Sequence, residues 1–251
     1  MSPLLNSHQL WLFRGHVALE TTSWFCRGPR TSSSAITEIG NDALAAVDAL
    51  LAAAPRSRFP YEPLAIHASS PWLQQTIVPW QPALILEADW LAWAALLAED
   101  QGLCFTDPLL ALETAHFAAP RLCVLMERTV VHDLRRRAAA RKLRVWRIDS
   151  SLVHHTNEHR CTIVEPGAAV CLVEPDTLSI GLRLAHDWHG ILSFPGRCEE
   201  LTPALVQARL RETAILTGSP MPENYYRIEK TVGVADSSVA FHALAPQDAM
   251  A

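Results

Sequence analysis

Between Leu64 and Gly102 the spacing of apolar residues changes from short runs to a helical stripe, and the rest of the chain is organised around that stretch. Leu64-Ala65-Ile66-His67-Ala68 is an apolar run bounded by Ser69-Ser70-Pro71, and Gln75-Thr76-Ile77-Val78 is a second, ended by Pro79-Trp80. Both predict strands. From Glu87 the period becomes helical. Trp90, Trp93, Ala94 and Leu97 share one stripe, Glu87 and Asp89 lie near the positive N-terminal end, and Gly102 follows the last turn. This strand, turn and helix are expected to form the core of a first domain.

Upstream, Gln9 to Phe13, Val17 to Thr21 and Ser23 to Cys26 predict a three-stranded meander turning at Arg14-Gly15 and near Thr22. Arg27 to Ser34 reads as a loop. Asn41 to Ala54 carries Leu44, Val47, Leu50 and Leu51 at helical spacing, and Pro55 to Pro63 reads as a connector. Downstream, Cys104 to Leu112 fits either type of element, with Asp107-Pro108 disfavouring helix at that point. Arg121 to Met126 predicts a strand, Thr129 the N-cap of a helix through Leu143, Arg144 to Ile148 a strand and Ser150 to His159 a short helix. A meander then recurs at Ala169 to Val173, Thr177 to Leu184 and Trp188 to Phe194. The helix Pro203 to Thr217, capped by Thr202 and closed by Gly218, and a strand from Tyr225 to Val232 follow it. Meander, helix, strand thus occurs twice, which predicts an α/β protein of two similar halves, residues 1–120 and 121–251.

At 251 residues, 49% hydrophobic and with mean hydropathy +0.10, the chain has ample material for a core. A net charge of -5 argues against sequence-independent nucleic-acid binding, and Arg135-Arg136-Arg137 with Arg141-Lys142 reads as a solvated helix face. The six cysteines have no CxxC spacing, so they are expected to be reduced core residues, with Cys104, Cys123, Cys161 and Cys171 in or beside apolar runs. The opening MSPLLNSHQLWLFRG lacks the features of a secretory signal, and no apolar stretch approaches the roughly 20 residues of a membrane helix. A cytoplasmic location without membrane insertion is the expectation.

Candidate chemistry is sparse. His155 and His159, at i and i+4 beside His154, would share a helix face, but no third ligand follows at a recognisable spacing. An exposed polar helix end is expected there, and no metal. His186, Asp187 and His189 fall at a hairpin tip with no GxSxG context for a nucleophile. There is neither GxxxxGK[ST] nor GxGxxG, and no catalytic residue is assigned.

Three stretches carry a resemblance: SSPWLQQTIVPWQPALILEADWLAWAALLAEDQG, PRLCVLMERTVVHDLRRRAAARKLRVWRIDSSLVHH and GAAVCLVEPDTLSIGLRLAHDWHGILSF. Together they resemble the cytoplasmic actin-like proteins of type IV pilus and type II secretion machines, the PilM-like proteins and the cytoplasmic part of GspL. The resemblance implies an actin-like fold, a duplicated ribonuclease-H-like unit with mixed sheets flanked by helices. It also implies a scaffold or adaptor that binds an inner-membrane pilus or secretion component or an assembly ATPase, peripheral to the inner membrane through that partner. PilM-like proteins carry an Asp-x-Gly phosphate turn in the first hairpin, where this chain has Leu12-Phe13-Arg14-Gly15-His16. In the second meander Glu174-Pro175-Asp176 stands where a glycine-rich phosphate turn is expected. Arg14 and His16 are thereby expected to face Glu174 and Asp176 across a cleft, with no bound nucleotide or other cofactor, as in a pseudo-ATPase. The alternative is a diverged sugar-kinase-like or nucleotide-hydrolysing enzyme of the same superfamily. Trp90 and Trp93 are expected in the structural core. Trp80, at the turn before their helix, is the residue expected to contact a partner.

Overall fold

The computed structural model describes residues 6–23, 31–36, 41–55, 61–103, 105–185, 187–197, 200–231 and 237–244. In chain order the elements are Asn6–Leu12 (β1), His16–Ser23 (β2), Thr31–Ile36 (β3), Asn41–Ala53 (α1), Glu62–Ala68 (β4), Leu73–Val78 (β5), Glu87–Asp100 (α2), Pro108–Leu112 (β6) and Arg121–Glu127 (β7). They continue with Arg128–Ala140 (α3), Leu143–Ser150 (β8), Ser151–Glu158 (α4), Ala169–Val173 (β9), Thr177–Leu184 (β10), Asp187–Pro195 (β11), Pro203–Thr217 (α5), Asn224–Glu229 (β12) and Ser238–Ala243 (β13).

These strands make three sheets. The first has the order β3-β2-β1-β4-β8: an antiparallel meander, then β4 and β8 added parallel. The second repeats that plan as β11-β10-β9-β12-β13, with β12 parallel to β9 and β13 antiparallel to β12. A small antiparallel sheet, β5-β7-β6, is inserted between β4 and β8 and carries α2.

The central strands are covered on both faces, which is why their sequences are almost continuously apolar. On β1, Leu10 and Leu12 join α1 and α3 in one core, while Trp11 and Phe13 point to the opposite face. On β9, Ala169, Cys171 and Val173 pack under α5, and Val170 and Leu172 pack toward α4. Helix α5 has both of its expected ends. Thr202 Oγ1 accepts the Leu205 N–H at 3.3 Å, and Gly218 sits at φ +63 in the left-handed closing position that a side chain resists.

Several expectations need correction. The third strand of the first meander is β3, Thr31–Ile36, which overlaps the end of the expected loop Arg27 to Ser34; Trp24, Phe25 and Cys26 lie outside the described residues. Its Ser-rich sequence is acceptable because β3 is an edge strand that, among the described residues, pairs with β2 alone. Thr129 is not a cap: α3 begins at Arg128, after Glu127, and ends at Ala140, so Leu143 opens β8 instead of closing the helix. β4 starts at Glu62, inside the presumed connector, and the ambiguous segment before Leu112 is the edge strand β6. The border at residue 120 cuts through the three-stranded sheet, and the first five-stranded sheet is not complete until Ser150. Cys123 and Cys171 are buried, but Cys161 is exposed; Cys104 and Cys198 lie outside the described residues.

Candidate functional site

The two hairpins that begin the halves meet turn to turn. Phe13 donates its N–H to the His16 carbonyl at 2.9 Å to close the β1–β2 turn, and the turn is pinned from below: Ser69 Oγ donates to Leu12 O at 3.0 Å and Trp72 Nε1 to Phe13 O at 2.8 Å. Opposite it, the β9–β10 turn is closed by the Glu174 N–H donating to Thr177 O at 2.9 Å. Asp176 reaches across. Its Oδ2 accepts the Gly15 N–H at 2.5 Å and lies 3.4 Å from His16 Nδ1, while Thr177 Oγ1 donates to Ser70 O at 3.4 Å.

The acidic turn therefore faces the first hairpin through Asp176 only. Glu174 turns inward instead, fully buried, and its Oε1 accepts the Ser151 hydroxyl at 2.6 Å. Burial pushes its carboxyl up to about 8, so it is mostly neutral at pH 7. Arg14 is exposed.

Deeper in, Lys230, just past β12, forms an ion pair with Glu20 of β2 at 2.7 Å, both side chains 2% exposed. The Lys230 ammonium also lies 4.6 Å from the Trp11 ring centre. Trp11 is the floor of an aromatic and imidazole cluster. His155 stacks on it at 5.0 Å, His67 lies tilted against it at 4.5 Å, and His154 meets its edge at 5.3 Å. The expected exposed polar helix end is thus a correction: His155 is buried, His154 and His159 are largely covered, and α4 lies between the sheets because His154 and His155 fill the space over Trp11. No spacing rule links His67, on β4, to these residues 87 or more positions along; only the topology brings them together. His186 lies outside the described residues, Asp187 opens β11, and His189, within that strand, accepts Ser219 Oγ on its carbonyl.

The tryptophans occupy the inserted sheet. Trp90 is 2% exposed, donates Nε1 to Leu84 O at 2.9 Å and lies under the Arg121 guanidinium at 4.4 Å. Trp93 and Trp80 are half-buried against the same cluster as Val78, Ala94 and Leu125. Trp80 meets Phe117, which is 90% exposed, edge to face at 5.5 Å. It also lines a groove of about 650 Å³ with Leu97, Gln101, His189 and Leu216.

No protein-family model and no curated protein matches the chain. Solved structures do. The cytoplasmic domain of EpsL, an inner-membrane component of the type II secretion system of Vibrio cholerae, matches over 81% of this chain and 75% of that one, with TM-score 0.53 and 12% identity. A Bacteroides thetaiotaomicron protein of actin-like ATPase fold and unknown function matches over 86% and 78%, with TM-score 0.56 and 10% identity. A PilM–PilN type IV pilus biogenesis complex matches over 86% and 66% at 13% identity, with a TM-score of 0.49 that is too low to add weight. With two sheets of the same strand order joined turn to turn, and these neighbours, the chain has an actin-like fold.

Proposed function

We propose that this protein is a non-catalytic scaffold of a bacterial type II secretion or type IV pilus assembly, working on the cytoplasmic side of the inner membrane through a protein partner. The observation that carries the reading is the Asp176 carboxylate on the Gly15 N–H. A phosphate at the first hairpin would need that donor, and it would meet a fixed negative charge in its place. The residues present do not fit a nucleotide. The second support is the cytoplasmic EpsL domain among the proteins of the same fold. No helix among the described residues is long and apolar enough to cross a membrane.

The partner is an inner-membrane component or assembly ATPase of that machinery, and Trp80 with exposed Phe117 beside the groove is the contact we assign to it. Two measurements test the proposal. Saturating Mg-ATP should stabilise the protein by less than about 1 kcal/mol in thermal unfolding; a larger shift would favour the enzymatic alternative. Co-purification with the inner-membrane component should occur for the parent and be lost for Trp80→Ala. Retention by a folded Trp80→Ala protein overturns the assignment of that residue.

A further inference from the structure

His67 and Asp149 are the penultimate residues of β4 and β8 and direct register partners across the parallel pair; Trp11 holds the corresponding place on β1. They stand in a row at the carboxyl ends of three parallel strands, the edge at which open α/β sheets hold ligands. Helix α4 starts immediately after β8 and lowers His154 onto that row, its ring centre 3.8 Å from that of His67.

His67 is 1% exposed, yet neither ring nitrogen has a hydrogen-bond partner, the approach of Nδ1 to Asp149 Oδ2 at 3.4 Å being misaligned. A buried imidazole with both nitrogens unmatched costs stability unless something else engages it. One donor atom from each of His67, Asp149 and His154 lies within 4.8 Å of the others. A tetrahedral cation with bonds near 2.1 Å sets its donors roughly 3.4 Å apart, so the group needs to close by no more than about 1.4 Å.

We propose that His67, Asp149 and His154 form a binding site for a divalent transition metal of the zinc type, a two-histidine, one-carboxylate set that leaves a further position for water. The donor set suits Zn²⁺, Co²⁺ and Ni²⁺ and disfavours Mg²⁺ and Ca²⁺, which prefer oxygen. Both imidazoles must present lone pairs. The carboxylate of the set is Asp149. Arg147 holds that carboxylate, Nε to Oδ1 at 2.7 Å and Nη2 to Oδ2 at 2.5 Å, and its positive charge opposes a cation. Its side chain is 37% exposed, so it can leave for solvent and free one oxygen as the ion enters. Trp11 closes the floor.

A second group, His154, His155 and Glu158, shares His154 and must be distinguished. There His155 Nδ1 is already engaged by Glu158 at 3.1 Å. The metal-stripped full chain is titrated with Co²⁺, read by its visible absorption, and with Zn²⁺ by calorimetry. One equivalent is expected to bind. His154→Ala, at a partly open helix position, should weaken binding by at least about 100-fold with an unchanged circular dichroism spectrum, as should Asp149→Asn, while Glu158→Gln should leave it within about threefold. No binding by the parent overturns the proposal. So does a pattern in which Glu158→Gln abolishes binding and Asp149→Asn does not.

Discussion

Glu174 shows how far one buried carboxyl can bias the molecule. It is raised from an ordinary value of 4.5 to about 8 by burial, with Asp176 acting in the same direction and the Ser151 hydroxyl against it. The folded state therefore holds a proton between about pH 4.5 and 8 that the unfolded chain has released. Stability attributable to Glu174 is complete below pH 4.5 and is lost as pH rises toward 8. Urea unfolding of Glu174→Gln should show a flatter pH profile than the parent across that window, and parallel profiles would refute the assignment. Sequence reading recognised the acidic turn but set Glu174 and Asp176 side by side. It could not separate them, because residues two apart fall on one side by strand alternation, and only the turn closed by Glu174 N–H on Thr177 O sends Asp176 to the other hairpin and leaves Glu174 under Ser151.

Among the elements, those with strong local signals were legible. Helix α5 was defined to the residue because Thr202, Pro203 and Gly218 mark both its ends chemically, and the strands β9, β10 and β11 were legible as apolar runs between turn residues. The edge strands β3, which is Ser-rich, and β13, which is short and largely exposed, were not, since pairing to one neighbour needs no alternating apolar face. Close packing within the second meander gives a prediction of its own. A Cβ added at Gly181 on β10 would run into the ring of Trp188 on β11, so Gly181→Ala should destabilise by about 1–3 kcal/mol in chemical unfolding. In the inserted sheet, Trp90→Ala removes a buried ring, its hydrogen bond to Leu84 and the surface under Arg121, and should cost roughly 3–5 kcal/mol. Trp80→Ala, half-buried, should cost well under half as much, and equal losses for the two would refute a surface role for Trp80.

At the scale of the whole molecule, the two five-stranded sheets are joined by few but well-placed polar contacts. Among the described residues the Lys230–Glu20 pair is a buried ion pair between the sheets. Lys230→Ala strands a carboxylate beside Trp11 and should cost about 3–5 kcal/mol, whereas Lys230→Met with Glu20→Gln should recover most of that loss. Calorimetry on both proteins measures the difference, and a double variant as unstable as the single one would show that the pair is not the link. The candidate metal residues illustrate why the site escaped sequence reading: His67 and His154 are far apart along the chain and meet only because β8 returns beside β4 across an inserted sheet. The contact between Asp176 and Gly15 has a consequence in terms of competition. A carboxylate carried by the fold itself is present at a local concentration that neither dilution nor dialysis can lower, so a free phosphate arriving at the first hairpin competes with a permanently tethered anion. Displacing it takes rotation of the Asp176 side chain or movement of one hairpin away from the other, which couples access to that turn to the separation of the two sheets.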